Sequence, residues 1–211
     1  MRKPLLSVTL TTLMSRYRTR SWRAFDPAVA AAAPPAASPD VRILGLDPGS
    51  RRTGFGVLEC RGGQLVLLAQ GCLDVSTAAP TARLRMIFEG LAALFGAHLP
   101  AEVAVERIFV SRNVDSALKL GQARGAALCA VPGGVPVFEY APRAIKLALV
   151  GSGAAEKFQV AHMVRALLGV QGPLSADAAD ALAVAVCHAH ARRLGALAAQ
   201  QAGGRVRQAL R

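Results

Sequence analysis

The order in which apolar segments and turn formers alternate constrains this chain's fold more than any other feature. Val41–Leu46 is a short apolar run stopped by Asp47-Pro48-Gly49, a strand meeting a turn. Gly54–Cys60 and Gln64–Cys72 follow as strands, with Arg61-Gly62-Gly63 between them as hairpin chemistry. Pro80–Ala97 then spaces Leu84, Ile87, Phe88, Leu91, Leu94 and Phe95 at the helical period. Glu102–Arg107 returns to strand, Asn113–Ala130 reads as helix, and Val135–Tyr140 reads as the last strand. Pro142–Leu149, Ala154–Gly169 and Ser175–Arg193 complete the pattern as helices. The order β-β-β-α-β-α-β-α-α-α predicts an α/β fold, a five-stranded mixed sheet flanked by helices.

Both ends stand apart from this pattern. Residues 1–40 carry Arg2, Lys3, Arg16, Arg18, Arg20 and Arg23 against Asp26 and Asp40, then a low-complexity AVAAAAPPAASP run. The apolar stretch Leu5–Met14 resembles a signal sequence, but the SRYRTRSWR that follows opposes translocation. An Arg-rich, acid-poor leader also has the composition of an organelle transit peptide. The preferred reading is a disordered extension over 1–40, a folded domain over 41–193 and a basic flexible tail over 194–211.

Charge narrows the function. Lys and Arg number 25 against 13 Asp and Glu, a formal charge of +12. Such a field attracts polyanions before contact. Hydrophobic residues make up 53% of the chain, enough for a real core. Cys60, Cys72, Cys129 and Cys187 form no C-x-x-C and have no nearby paired histidines, which argues against structural zinc and suits a reducing, cytoplasmic location. No apolar run reaches the roughly 18 residues that span a bilayer.

Carboxylates are scarce, so their placement is informative. Asp47 closes the first strand at a Gly-rich turn, and Glu106 sits in the apolar VAVERIF. Asp177 and Asp180 lie at i and i+3 near the start of the last helix, on one face. Each Asp has a bland alternative: Asp47 as a turn former, Asp177 as a cap or a first-turn charge. Glu106 is harder to explain blandly, because a carboxylate in a buried strand needs a partner or a metal. Together the four can hold two hard cations, Mg²⁺ or Mn²⁺, which prefer oxygen ligands. A pair of such ions activates water for in-line attack at phosphorus.

ILGLDPGSRRTGFGV, VAVERIFVSRNVDSALKLGQARGAAL, VPVFEYAPRAIKLALVGSGAAEKFQVAHMVRALL and ADAADALAVAVCHAH closely resemble the RuvC Holliday junction resolvases, over about Ile43 to His190. The resemblance implies a ribonuclease H-like fold and a homodimer. It implies Mg²⁺-dependent paired nicking of four-way DNA junctions in recombination and repair, leaving 5′-phosphate and 3′-hydroxyl ends. By motif, Asp47, Glu106, Asp177 and Asp180 match the family's catalytic, metal-binding acids. The position of Asp177 is a histidine in some relatives. Phe109 matches an aromatic implicated in stacking on junction bases, and Lys146 and Lys157 match lysines near the scissile strand. The resemblance also implies the RuvAB branch-migration complex as a partner.

Residue chemistry adds to these assignments. Lys146 and Lys157 follow the last strand, where a cation neutralises charge developing on phosphorus. The Gly151-Ser152-Gly153 turn suggests backbone N–H groups for a phosphate oxygen, at the start of an Ala154–Gly169 helix. Arg51, Arg52, Arg112, Arg124, Arg143 and Arg165 are candidates for a backbone grip on DNA. Small residues on the Asn113–Ala130 helix suit close approach of a second subunit or of the chain's own sheet. His98, His162, His188 and His190 are left out of the catalytic set, His188 because it lies eight residues beyond Asp180. Three other readings compete: an actin- or sugar-kinase-like ATPase, for which the chain is too short; a non-catalytic junction binder; and an RNA–DNA hybrid ribonuclease.

Overall fold

The computed structural model describes residues 40–108 and 113–209. The expected extension therefore lies outside the described residues except for Asp40, whose Oδ1 accepts the Gly62 N–H at 3.1 Å. Phe109 and Arg112 also lie outside them.

Three strands open the domain: β1 (Val41–Asp47), β2 (Arg52–Arg61) and β3 (Gln64–Asp74). The two-residue turn between β2 and β3 needs positive φ at both positions, supplied by Gly62 (54°) and Gly63 (85°). Then follow α1 (Pro80–His98), β4 (Glu102–Glu106), α2 (Val114–Cys129), β5 (Val137–Tyr140), α3 (Pro142–Val150), α4 (Lys157–Leu168) and α5 (Ala176–Ala209). The sheet order is β3-β2-β1-β4-β5. β1 and β2, and β2 and β3, pair antiparallel, whereas β1–β4 and β4–β5 are parallel. The expected five-stranded mixed sheet is thus present.

Strand alternation divides the core into two layers. On one face Leu44, Leu46, Val103 and Val105 pack with Ile87, Leu91 and Phe95 of α1 and with Ala123 and Ala127 of α2. On the other, Ile43, Leu58 and Ala104 pack under α3, α4 and α5. The first part of α5 is buried nearly all round, from Ala178 through Val186, and its alanines let it lie close to the strands.

Glycines in the strands make that approach possible. A Cβ at Gly45 would stand 2.0 Å from the Ala181 carbonyl oxygen, and one at Gly54 would stand 2.0 Å from that of Asp177. A Cβ at Gly56 would stand 2.4 Å from Leu182 Cδ2. The first turns of α5 therefore rest directly on β1 and β2.

Two sequence expectations need correction. The last helix does not end at Arg193 but runs to Ala209, because Ala, Leu and Gln are strong helix formers and outweigh the scattered glycines. The helix expected from Ala154 starts at Lys157 instead. Glu156 is its N-cap and forms a reciprocal capping box with Gln159, whose Oε1 accepts the Glu156 N–H at 2.8 Å. The Ala154 and Ala155 N–H groups donate to Ser152, to Oγ at 3.3 Å and to the carbonyl oxygen at 3.2 Å. Those two donors serve the turn itself.

Candidate active site

Leu46 of β1 lies opposite Val105 of the parallel strand β4. The next residues, Asp47 and Glu106, thus leave the sheet side by side at the same edge. Alternation also sets their face. Gly45, two residues before Asp47, meets Ala181 of α5, and Glu102, four before Glu106, bonds to His188 of α5. Both acids therefore face α5, which carries Asp177 in its first turn and Asp180 one turn further on.

An open groove of about 450 Å³ is lined by Asp47, Glu106 and Asp180 together with Lys157. Lys157 Nζ donates to Asp180 Oδ2 at 2.9 Å. An adjoining hollow of about 210 Å³ between α3 and α4 is lined by Lys146 and Lys157 beside Glu106 and Asp180. Three of the four proposed acids and Lys157 thus share one groove, and Lys146 lines the hollow beside it. Asp177 stands apart from its lining, with Oδ2 3.6 Å from Cys72 Sγ.

The electrostatics follow from this crowding. Burial is the largest influence on Asp47, followed by the negative charges of Asp180 and Glu106; despite Lys157, they push its carboxyl up to about 7. Glu106 is raised too, by burial first and then by Asp180, against the pull of Lys157 and Lys146. The Lys157 ammonium is held protonated by its hydrogen bond to Asp180, with Asp47 and Glu106 contributing. Burial, then Asp177, raises the Cys72 thiol to about 11, so it is no nucleophile.

This donor set fits hard divalent cations: oxygen ligands only, in a half-buried groove whose crowded negative charge raises the Asp47 and Glu106 carboxyls. Among the described residues, no three His, Cys, Asp or Glu side chains close into a ready-made cage.

Asp47 keeps its proton to about 7 in the folded protein but only to about 3.8 in a free side chain. Between those values the folded state binds more protons, so metal-free stability is expected to fall as pH rises from about 4 to 7. Asp47→Asn should flatten that slope and raise the melting temperature at pH 7.5 in chelator. Melting curves across pH check this, and an unchanged slope contradicts it.

The structure reassigns Arg124. Proposed from sequence as a DNA contact, its side chain is only 12% exposed and reaches inward from α2. Nη1 donates to the Glu106 carbonyl oxygen at 2.7 Å, and Nη2 pairs with Glu139 of β5. It braces the strand end that carries Glu106. Arg124→Ala leaves Glu139 with Arg107 alone, 3.8 Å away, and is expected to destabilise the fold by about 3 kcal/mol, measurable by urea denaturation. Arg52 pairs with Asp74 at 3.1 Å, and Arg165 donates to the Gly172 carbonyl oxygen at 2.8 Å.

Sequence reasoning also missed a buried network. His188 Nε2 lies 2.7 Å from Glu102 Oε2, its Nδ1 lies 2.6 Å from the Tyr140 hydroxyl, and Arg192 pairs with Glu102. Burial pushes the Glu102 carboxyl up, but bonds from His188 and Arg192 outweigh it and hold the pKa low. The network ties α5 to the far end of β4, about four strand residues or ~13 Å from Glu106. His188 is thus remote from the groove, consistent with its omission from the catalytic set.

An antiparallel three-strand meander extended by two parallel strands, with acids at adjacent strand ends and on a covering helix, defines a ribonuclease H-like architecture. The family model for crossover junction endodeoxyribonuclease RuvC matches residues 43–188. A protein of that name from Methylococcus capsulatus is 57% identical over 153 residues, covering 72% of this chain and 92% of the relative. Its namesake from Marinobacter nauticus is 51% identical over 166 residues, 78% of this chain and 94% of the relative. The solved structure described as T. thermophilus RuvC in complex with Holliday junction substrate superposes with a TM-score of 0.69 at 38% identity, covering 74% of this chain and 97% of that one. The chain belongs to the RuvC family of crossover junction endodeoxyribonucleases.

Proposed function

We propose that this protein resolves four-way DNA junctions by paired, symmetric, metal-dependent nicks that leave 5′-phosphate and 3′-hydroxyl ends. The observation that carries the reading is the meeting of Asp47, Glu106 and Asp180 with Lys157 in one groove at the sheet edge. Family membership supports the choice of substrate.

In this reading Asp47, Glu106 and Asp180 hold divalent cations, with Asp177 as the fourth acid. Mg²⁺, probed equally by Mn²⁺, would when bound activate the attacking water and stabilise the departing oxygen. Two ions per site suit four carboxylates. Lys157, with its side chain 82% exposed, is free to swing from Asp180 to a phosphate oxygen. Lys146 stands across the same hollow and neutralises charge on the strand beside the cut. Phe109 and Arg112 complete the proposed DNA contacts.

The protein acts as a homodimer, since two opposed strands need two coordinated cuts. The outer side of α2 supports this: Val114 and Leu118 are 70% and 63% exposed, and a Cβ at Gly121 or Gly125 would meet nothing within 4 Å. Partnership with the RuvAB motor and a cytoplasmic location complete the reading. Among the described residues, no helix is long and apolar enough to cross a membrane. Cleavage of a synthetic four-way junction beside an RNA–DNA hybrid tests the assignment: nicks confined to the junction support it, and preferential hybrid cleavage replaces it with a ribonuclease.

A further inference from the structure

Phe158 is the second residue of α4 and is 69% exposed, although α4 buries Val160 and Val164 in the core. Nothing in the fold needs a ring at this position. Its predecessor Lys157 lines the groove with Glu106 and holds Asp180. Across the hollow, α3 repeats the arrangement: Lys146 lines it, and the next residue, Leu147, is 57% exposed. Each helix flanking the carboxylates thus presents a cation followed by uncovered apolar surface. A lysine suits a phosphate, and a flat ring beside it suits the face of a base. Paired, stacked DNA hides those faces, so the partner of such a ring is a nucleotide opened out of the stack.

We propose that Phe158 is a base-stacking residue that receives the face of a nucleotide unstacked beside the phosphate cut in the Asp47–Glu106–Asp180 groove. The inference rests on the junction-cleaving reading given above and adds a substrate contact to it. Charge complementarity favours DNA over a protein partner, because the exposed ring follows Lys157 directly in sequence and the chain is net positive. Stacking opens the strand locally and holds the phosphate beside the lysines. Phe158 therefore contributes to selection of distorted DNA over plain duplex.

The test uses the full-length protein with Phe158→Ala, Phe158→Leu and Phe158→Tyr. Junction binding is read in Ca²⁺ and cleavage in Mg²⁺, with linear duplex as comparison. Stacking of about 1–3 kcal/mol per base converts to an expected loss of roughly 5- to 150-fold in junction affinity for Phe158→Ala. Phe158→Leu should lose nearly as much, Phe158→Tyr should restore binding, and duplex affinity should stay within about twofold. Melting temperatures of all three should match the parent, since the ring is exposed. Unchanged junction affinity in Phe158→Ala overturns the proposal, as does full rescue by Leu, which would mark a merely greasy contact. A change confined to subunit association, read by sedimentation, overturns it in favour of a protein interface. If the parent itself fails to cut junctions, the functional reading fails first.

Discussion

Asp47→Asn, Glu106→Gln and Asp180→Asn are each expected to abolish strand cutting while junction binding survives. The three side chains share one groove, and each removes a charged oxygen donor from it when replaced by an amide. Stabilisation by bound divalent cations is worth several kcal/mol in the transition state, so each variant should lose at least ~10³-fold in rate. Binding should hold or tighten, because removing a negative charge lessens repulsion of phosphate. Single-turnover cleavage at saturating Mg²⁺ alongside gel-shift affinities checks both halves. Normal turnover in any of the three removes that residue from the site. Asp177→Asn should cost less, because Asp177 lies beside Cys72 and outside the lining of the groove.

Gly54→Ala carries the second large effect and touches no reacting group. Its Cβ would stand 2.0 Å from the Asp177 carbonyl oxygen, a distance at which backbone must move. The movement falls on the first turn of α5, which carries Asp177 and leads directly into Asp180. Overpacking of this kind costs about 1–3 kcal/mol of stability, and a ~1 Å displacement of a catalytic group about 10²-fold in rate. Melting temperature and cleavage rate should therefore both fall, with the rate affected more. Gly96→Ala is the control: no atom lies within 4 Å of the added methyl, and in α1 it should be neutral or stabilising by about 0.4–1 kcal/mol. A fully active Gly54→Ala enzyme would mean that the tight seating of α5 does not set the site.

Much of this was legible from residues alone, for local reasons. Asp47 and Glu106 each end an apolar strand, and an acid at such a place is visible without knowing what it faces. Their common face was not legible, because it depends on β1 and β4 pairing in parallel with Leu46 against Val105. The glycines at 45, 54 and 56 were a readable sign of close backbone approach within strands. Glu156 and Gln159 likewise had capping-box spacing, which would have moved the start of α4 from Ala154 to Lys157. Arg124 looks like any surface cation until α2 packs beside β5, and its bond to the Glu106 carbonyl joins residues 18 apart in sequence. The Glu102–His188 contact spans 86 residues and leaves no local trace. Phe158 falls in the same class, since exposure of a ring in an amphipathic helix is settled only by what the opposite face buries.

In the proposed mechanism, divalent cations held by these acids drive the cutting of four-way DNA. It is tested most directly by incubating the protein with a mobile junction in Mg²⁺, in Ca²⁺ and in chelator, then treating the products with ligase. Symmetric, ligatable nicks are expected in Mg²⁺, binding without nicking in Ca²⁺, and no nicking in chelator. Equal cutting in chelator, or ends that ligase cannot join, would contradict it.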